Sequence, residues 1–307
     1  MADRVVTLKK RVTVHNLNTL LGQISFVFIQ RVKSMPDFYL LLENVEDIDL
    51  SGVLLIYKFV EYSVGHGCFF KPRISLSVKA QSQIKYFGFH ELISDLINGH
   101  DITREFNKLN IEVKDDFIIA PFAMEKINIQ KDTDINTIYY PKFSDYYHEE
   151  KRCLMIFQIF IELYNNFISH AEDVGKSIMV AHGNSNKIEI ACVDSGIGIV
   201  SSLKDKYPNR PSEFILNQAL KKDVSSKSDN YHMGYGLWFI DEIAYRLGGR
   251  IDIFTNDVMY TRIGKYSKVI KSSIWQGTFV HITLPLNQSL LFDDLIVNKG
   301  EKFVNFI

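Results

Sequence analysis

No apolar run in the chain approaches the roughly 20 residues that a membrane-crossing helix needs. The opening residues, MADRVVTLKKRVTVHN, alternate apolar and polar positions and hold no signal-peptide core. The expectation is a cytoplasmic protein that does not engage a membrane. Cysteine is scarce: Cys68, Cys153 and Cys192 lie far apart in apolar runs and form no CxxC pair. That argues against a disulfide framework and for buried free thiols in a reducing compartment. An excess of one charge is also missing, since 35 Lys and Arg face 36 Asp and Glu. No broad basic face is advertised, so nucleic acid is not the expected partner. His66, His90, His182, His232 and His281 show no metal-ligand spacing.

Two common nucleotide signatures are absent as well. Gly175-Lys176-Ser177 has the end of a P-loop, but His170 stands where its first glycine belongs. Gly196-Ile197-Gly198 and Gly234-Tyr235-Gly236 do not complete a dinucleotide fingerprint, because Ser201 and Phe239 occupy the third glycine position.

What is present suits two ordinary α/β domains: 307 residues, 46% of them hydrophobic and 23% charged. Residues 1–100 alternate strands and helices. Val12–His15 and Phe38–Val45 read as strands, the second a continuous apolar one suited to a buried sheet. Leu20–Val32 reads as a helix that Thr19 can cap, and Val53–Val64 as a helix with Asp49 or Ser51 at its N-cap. Ile74–Val78 follows as a strand, then Ser82–Phe87 and Glu91–Ile97 as short helices hinged at Gly88. Residues 101–145, with a strand at Phe117–Phe122, read as a connector that opens the second domain. That domain spans 146–290, and 291–307 form a tail.

Asp49-Leu50-Ser51-Gly52 after a hydrophobic strand resembles the motif of a STAS domain, the fold of anti-sigma-factor antagonists. Members switched by phosphorylation carry serine or threonine where this chain has Leu50, which has no hydroxyl to modify. Ser51 reads more simply as a helix cap than as a phosphosite.

The chemistry concentrates in the second half. A helix from about His148 to Ala171 carries Glu162, Asn166 and His170 at a spacing of four, which places them on one stripe. Alone, that pattern also fits an ordinary solvated face. The apolar strand Lys187–Val193 then runs into Asp194-Ser195-Gly196-Ile197-Gly198-Ile199. A strand-end carboxylate can accept a hydrogen bond from a buried exocyclic amine, and glycines let backbone approach a flat ring. Gly234-Tyr235-Gly236-Leu237 opens a helix, Leu237–Leu247, whose free N–H groups and dipole favour phosphate. Gly277-Thr278 begins the strand Phe279–Leu284.

These four segments, in this order, resemble the boxes of the GHKL superfamily, the ATPase domains shared by histidine kinases, gyrase-like enzymes and anti-sigma-factor kinases. The resemblance implies a Bergerat-fold α/β sandwich that binds ATP and Mg²⁺. Position by position, it implies Asn166 as the Mg²⁺ ligand and Glu162 as the general base for water or an acceptor hydroxyl. Asp194 would read the adenine amino group, Gly196 and Gly198 would let the base pack, and Thr278 would support the base. Gly234, Gly236 and Leu237 would meet the phosphates, with His170 a further nucleotide contact. Ser201–Met233 would be the ATP lid, with a helix at Glu213–Lys221 and Lys227 reaching the terminal phosphate. Val258–Ser273 reads as a β-hairpin insertion. His148 lies only about 14 residues before Glu162, too close for the hairpin that precedes the ATP domain of a histidine kinase.

The leading functional expectation is an ATP-dependent regulatory protein whose ATPase cycle moves the lid and changes contacts to a protein partner or a second copy. A serine/threonine kinase of the anti-sigma type is the alternative. A scaffold holding ATP as a structural ligand is the third, though a scaffold needs no base at Glu162.

Overall fold

The structure, a computed structural model, describes residues 4–8, 10–29, 38–65, 73–98, 117–124, 132–147, 149–170, 177–183, 186–222, 224 and 236–286. In the N-terminal unit, β1 (Arg4–Thr7), β3 (Phe38–Leu42) and β5 (Arg73–Leu76) form a parallel sheet in the order β1-β3-β5. A second, two-stranded parallel pair joins β2 (Arg11–Val12) to β4 (Asp47–Ile48).

The strand expected at Val12–His15 stops at Val12, because a 3-10 turn, Val14–Asn16, takes over. The Asp49 carboxylate accepts the Val14 N–H at 2.7 Å, and the Asn16 side chain accepts the Thr13 N–H at 2.8 Å. Side chains thus satisfy donors that a strand would have offered to a neighbour. The next helix starts earlier than expected, as α1 (Leu17–Ile24), and breaks at Ser25 before α2 (Phe26–Ile29). Thr19 lies within its first turn and does not cap it. Leu17, Leu20, Leu21 and Ile24 recur at three- and four-residue spacing and are all buried.

Helix α3 (Leu50–Gly65) is capped by Asp49, whose carboxylate accepts the Gly52 N–H at 2.9 Å. Ser51 is therefore not the cap; it lies inside the first turn and is completely buried. Every residue from Leu50 to Val60 is buried, the mark of a helix enclosed on all sides. One side of α3 faces Leu40 of β3 across a small cavity, and another packs against the sheet of the C-terminal unit. The Ser77 hydroxyl accepts the Ala80 N–H and starts α4 (Val78–Tyr86) early, so the strand expected to reach Val78 ends at Leu76. Helix α5 (His90–Asn98) follows the turn at Phe87 and Gly88.

The C-terminal unit is built on one antiparallel sheet in the order β6-β7-β8-β10-β9. Its strands are β6 (Phe117–Met124), β7 (Ser177–Gly183), β8 (Lys187–Val193), β9 (Arg250–Ile263) and β10 (Tyr266–Pro285). Its helices are α6 (Asp132–Tyr146), α7 (Glu150–His170), α8 (Ile199–Leu203), α9 (Ser212–Ala219) and α10 (Gly236–Leu247). The stretch expected as a connector thus supplies an edge strand, β6, and a helix, α6, that packs on β6 and α7.

Strand alternation gives this sheet two buried faces. Met179, Ala181, Ile190, Cys192, Val280 and Ile282 point into a core shared with α7 and α10. Ile178, Val180, Ala191, Val193, Phe254 and Phe279 point the other way, into a core shared with α1 and α3 of the N-terminal unit. Burying a large apolar side chain is worth about 1.5–3 kcal/mol, so this second face joins the two units firmly. Across the expected hairpin, β9 and β10 are continuous strands paired from Ile263 and Tyr266 at the tip. Among the described residues, no helix is long and apolar enough to cross a membrane.

Candidate functional site

Helix α7 drives Ile156, Phe160, Leu163 and Phe167 into the core, which leaves Glu162 and Asn166 half-buried on its other side. The start of α10 lies directly on this pair. A Cβ built on Gly236 would stand 2.8 Å from the Asn166 carboxamide nitrogen and 2.8 Å from a Glu162 carboxylate oxygen. Only a glycine lets the two helices meet here without displacing those side chains. Burial raises the Glu162 pKa above its usual value, and the Gln158 amide, donating at 3.1 Å, partly opposes the shift. The Asn166 amide nitrogen is buried and has no hydrogen-bond partner among the described residues.

A second cluster forms where β8 ends. Asp194 is buried, and its backbone N–H donates to the Thr278 carbonyl at 2.9 Å. One of its carboxylate oxygens accepts the Gly196 N–H at 2.7 Å and the Thr278 N–H at 3.1 Å. These two bonds fix the plane in which the carboxylate can present itself. Gly277 has φ 99°, and a side chain there would collide with the Asp194 carbonyl and carboxylate.

The loop after Asp194 is braced by side chains that the sequence reading did not single out. Gln276 donates to the Gly196 carbonyl at 2.8 Å. Asn256 donates to the Ile197 carbonyl at 3.0 Å and to the Ser201 hydroxyl at 2.8 Å. The Thr255 hydroxyl accepts the Ile199 N–H at 2.8 Å. One signal pointed there: Asn256-Asp257 interrupts the apolar run of β9, and Asn256 takes φ 52°, a left-handed conformation that asparagine tolerates.

The expected site residues therefore fall into two groups. Glu162, Asn166 and Gly236 meet where α7 passes α10, and Asp194, Gly196 and Thr278 meet at the ends of β8 and β10. Gly198 is the N-cap of α8, and Leu237 is half-buried in the first turn of α10. The His170 side chain, Lys227 and Gly234 lie outside the described residues. The lid expectation needs correction. Leu203, Ile215, Leu216 and Ala219 are buried in the core of the C-terminal unit, so the first half of Ser201–Met233 is packed structure. The helix expected at Glu213–Lys221 is α9, and it ends at Ala219. Only the part beyond Lys222 is left for a lid, and apart from Val224 it lies outside the described residues.

An antiparallel sheet carrying its own helices on one face makes the C-terminal unit an α/β sandwich, with a fixed carboxylate at a strand end and a carboxylate–amide pair beneath a glycine-started helix. Residues 153–288 match the model of the histidine kinase-, DNA gyrase B-, and HSP90-like ATPase family, and that segment is a domain of this family. No curated protein matches the chain.

Proposed function

We propose that the protein is an ATP-binding regulatory protein that hydrolyses Mg-ATP in its C-terminal unit and passes nucleotide state to its N-terminal unit or a protein partner. The observation that carries this reading is the Asp194 carboxylate. Two backbone N–H groups hold it at the end of β8, in a domain whose family is one of ATPases. A carboxylate so oriented suits the exocyclic amine of adenine and disfavours the carbonyl of guanine.

Glu162 is the proposed general base, and a pKa raised by burial suits a group that must take up a proton. Asn166 is the proposed Mg²⁺ ligand, acting through its carboxamide oxygen. The buried amide nitrogen beside that oxygen is a donor with no partner among the described residues, and a phosphate oxygen of Mg-ATP would satisfy it. Bound Mg²⁺ would neutralise phosphate charge. Gly196 and Gly198 would flank the base with Thr278, while Gly234, Gly236, Leu237, Lys227 and His170 would serve the phosphates.

The N-terminal unit, residues 1–100, is proposed as STAS-like, on the support of its parallel sheet and of the Asp49–Gly52 segment that starts α3. Residues 146–290 are the proposed ATPase domain, entered through 101–145, and 291–307 a tail. Serine/threonine kinase activity is the second reading. Ser51 is completely buried and is not the acceptor proposed for it. Incubation of the purified chain with γ-labelled ATP separates these readings. Released phosphate without protein-bound label supports hydrolysis; label transferred to a partner supports the kinase; neither product sinks both.

A further inference from the structure

Strand β10 does not run evenly from the hairpin tip to the candidate nucleotide site. Its register against β9 slips between Lys271 and Trp275, and again between Trp275 and Thr278. Fewer ladder bonds hold such a bulged stretch, so it yields more readily than the strand on either side.

This stretch is touched from both directions. From the N-terminal unit, the Asn18 side chain of α1 accepts the Ser273 N–H at 3.3 Å. Phe28 of α2 meets Trp275 edge-on, with ring centroids 5.2 Å apart. Trp275 is enclosed and also packs against Phe279, while its indole N–H has no hydrogen-bond partner among the described residues. Packing alone therefore seats it. From the nucleotide side, the next residue, Gln276, donates to the Gly196 carbonyl at 2.8 Å. Thr278 follows two residues later with its N–H on the Asp194 carboxylate.

We infer that Gln276 is a positioning residue for the nucleotide loop and that Trp275, seated against Phe28, sets where Gln276 stands. The N-terminal unit then tunes nucleotide affinity through the bulge of β10, a route separate from the lid. This inference rests on the reading of Asp194 as the base-binding residue. Its physical basis is short: Trp275 and Gln276 share one peptide unit, so a backbone shift that reseats the indole also moves the Cα from which the Gln276 amide reaches Gly196.

The test is ATP binding by calorimetry in the full-length chain with Mg²⁺, for Gln276→Ala, Phe28→Ala, their double variant, Phe28→Leu and Asp194→Asn. Gln276→Ala should weaken ATP about two- to tenfold, the range for one neutral hydrogen bond. Phe28→Ala should weaken it comparably although its ring touches Trp275 rather than the loop, and Phe28→Leu should recover most of the loss. The double variant should bind about as poorly as Gln276→Ala alone, because both changes act on one element. A merely structural role for Phe28 would lower Tm and leave affinity unchanged. Wild-type affinity in Phe28→Ala, or losses that multiply in the double variant, would overturn the inference. If Phe28→Ala does not fold, Trp275→Phe replaces it, with the same outcomes. Wild-type affinity in Asp194→Asn would sink the site reading itself, whereas a loss there with none in Gln276→Ala sinks only this inference.

Discussion

Asn166 and Gly236 meet where α7 passes the start of α10, so closely that a Cβ on Gly236 would stand 2.8 Å from the Asn166 amide nitrogen. The obstructing atoms are the ends of flexible side chains, those of Asn166 and Glu162, so they can swing away. Gly236→Ala should therefore fold normally, with stability close to that of the wild type, since the position is the first of its helix. It should nonetheless lose Mg-dependent ATP binding and turnover, because both proposed functional groups are displaced. Parallel thermal melts and ATPase assays check this; a variant as active as wild type contradicts it.

Glu162→Gln should separate binding from chemistry. ATP should still bind, while turnover falls by a factor of about 10²–10⁴, the usual contribution of a general base. The same change should stabilise the fold. The folded-state pKa of Glu162 is raised above 4.5, so burial of its charge costs nothing below the unfolded pKa and develops as pH rises through the folded value. The variant should thus melt higher than wild type at neutral pH, and the difference should vanish in acid.

The joint between the two units should be acid-labile. Burial alone would raise the Glu189 pKa, but the His182 imidazole, His281 and Lys187, whose ammonium lies 2.8 Å away, bring it down to about 2. A depressed carboxylate stabilises the fold fully above its unfolded value of 4.5, and that stability is lost as pH falls toward about 2. Melts across that window should show a shallower acid limb for Glu189→Gln than for wild type. Coincident slopes would show that the group does not report on the joint. His182 also meets Tyr86 of α4 at 3.2 Å, which ties this titration to the N-terminal unit.

Ser51 should carry no phosphate after incubation with Mg-ATP, as read by mass spectrometry, since its hydroxyl is buried inside α3. That hydroxyl also lacks a partner among the described residues, so Ser51→Ala should be neutral or stabilising. Asp49→Ala should cost about 0.5–2 kcal/mol as a lost helix cap. It loses in addition the bond to Val14 that ends β2.

Much of the candidate site was legible because its glycines and carboxylates sit at fixed offsets within single elements. Glu162 and Asn166 lie one helical turn apart, and Asp194 follows the apolar run Ile190–Val193 that ends β8. The bracing by Thr255, Asn256 and Gln276 was not legible, since a lone polar side chain in a strand does not state which loop it reaches. Nor was the docking of the N-terminal unit. A sheet face that covers a neighbouring unit carries the same apolar alternation as one that covers its own helices, as Val193 beside Cys192 illustrates. The apolar character of Leu50–Val60, broken only by Ser51 and Lys58, was the available clue, because a helix at the surface keeps one polar side. One consequence is practical. Removing residues 1–100 would bare Phe254, Phe279 and Trp275, so point variants of the whole chain are the cleaner probes of coupling.

The central claim is that the Asp194 carboxylate reads an adenine base, and calorimetry of ATP binding to Asp194→Asn tests it most directly. Asparagine keeps an oxygen for the Gly196 and Thr278 N–H groups, so the loop should hold its shape while the charge is lost. Losing a hydrogen bond to a charged group costs about 1.5–3 kcal/mol, so affinity should fall roughly ten- to a hundredfold. GTP should bind the wild-type chain much more weakly than ATP. Unchanged ATP affinity in Asp194→Asn, with the variant folded, would contradict the account.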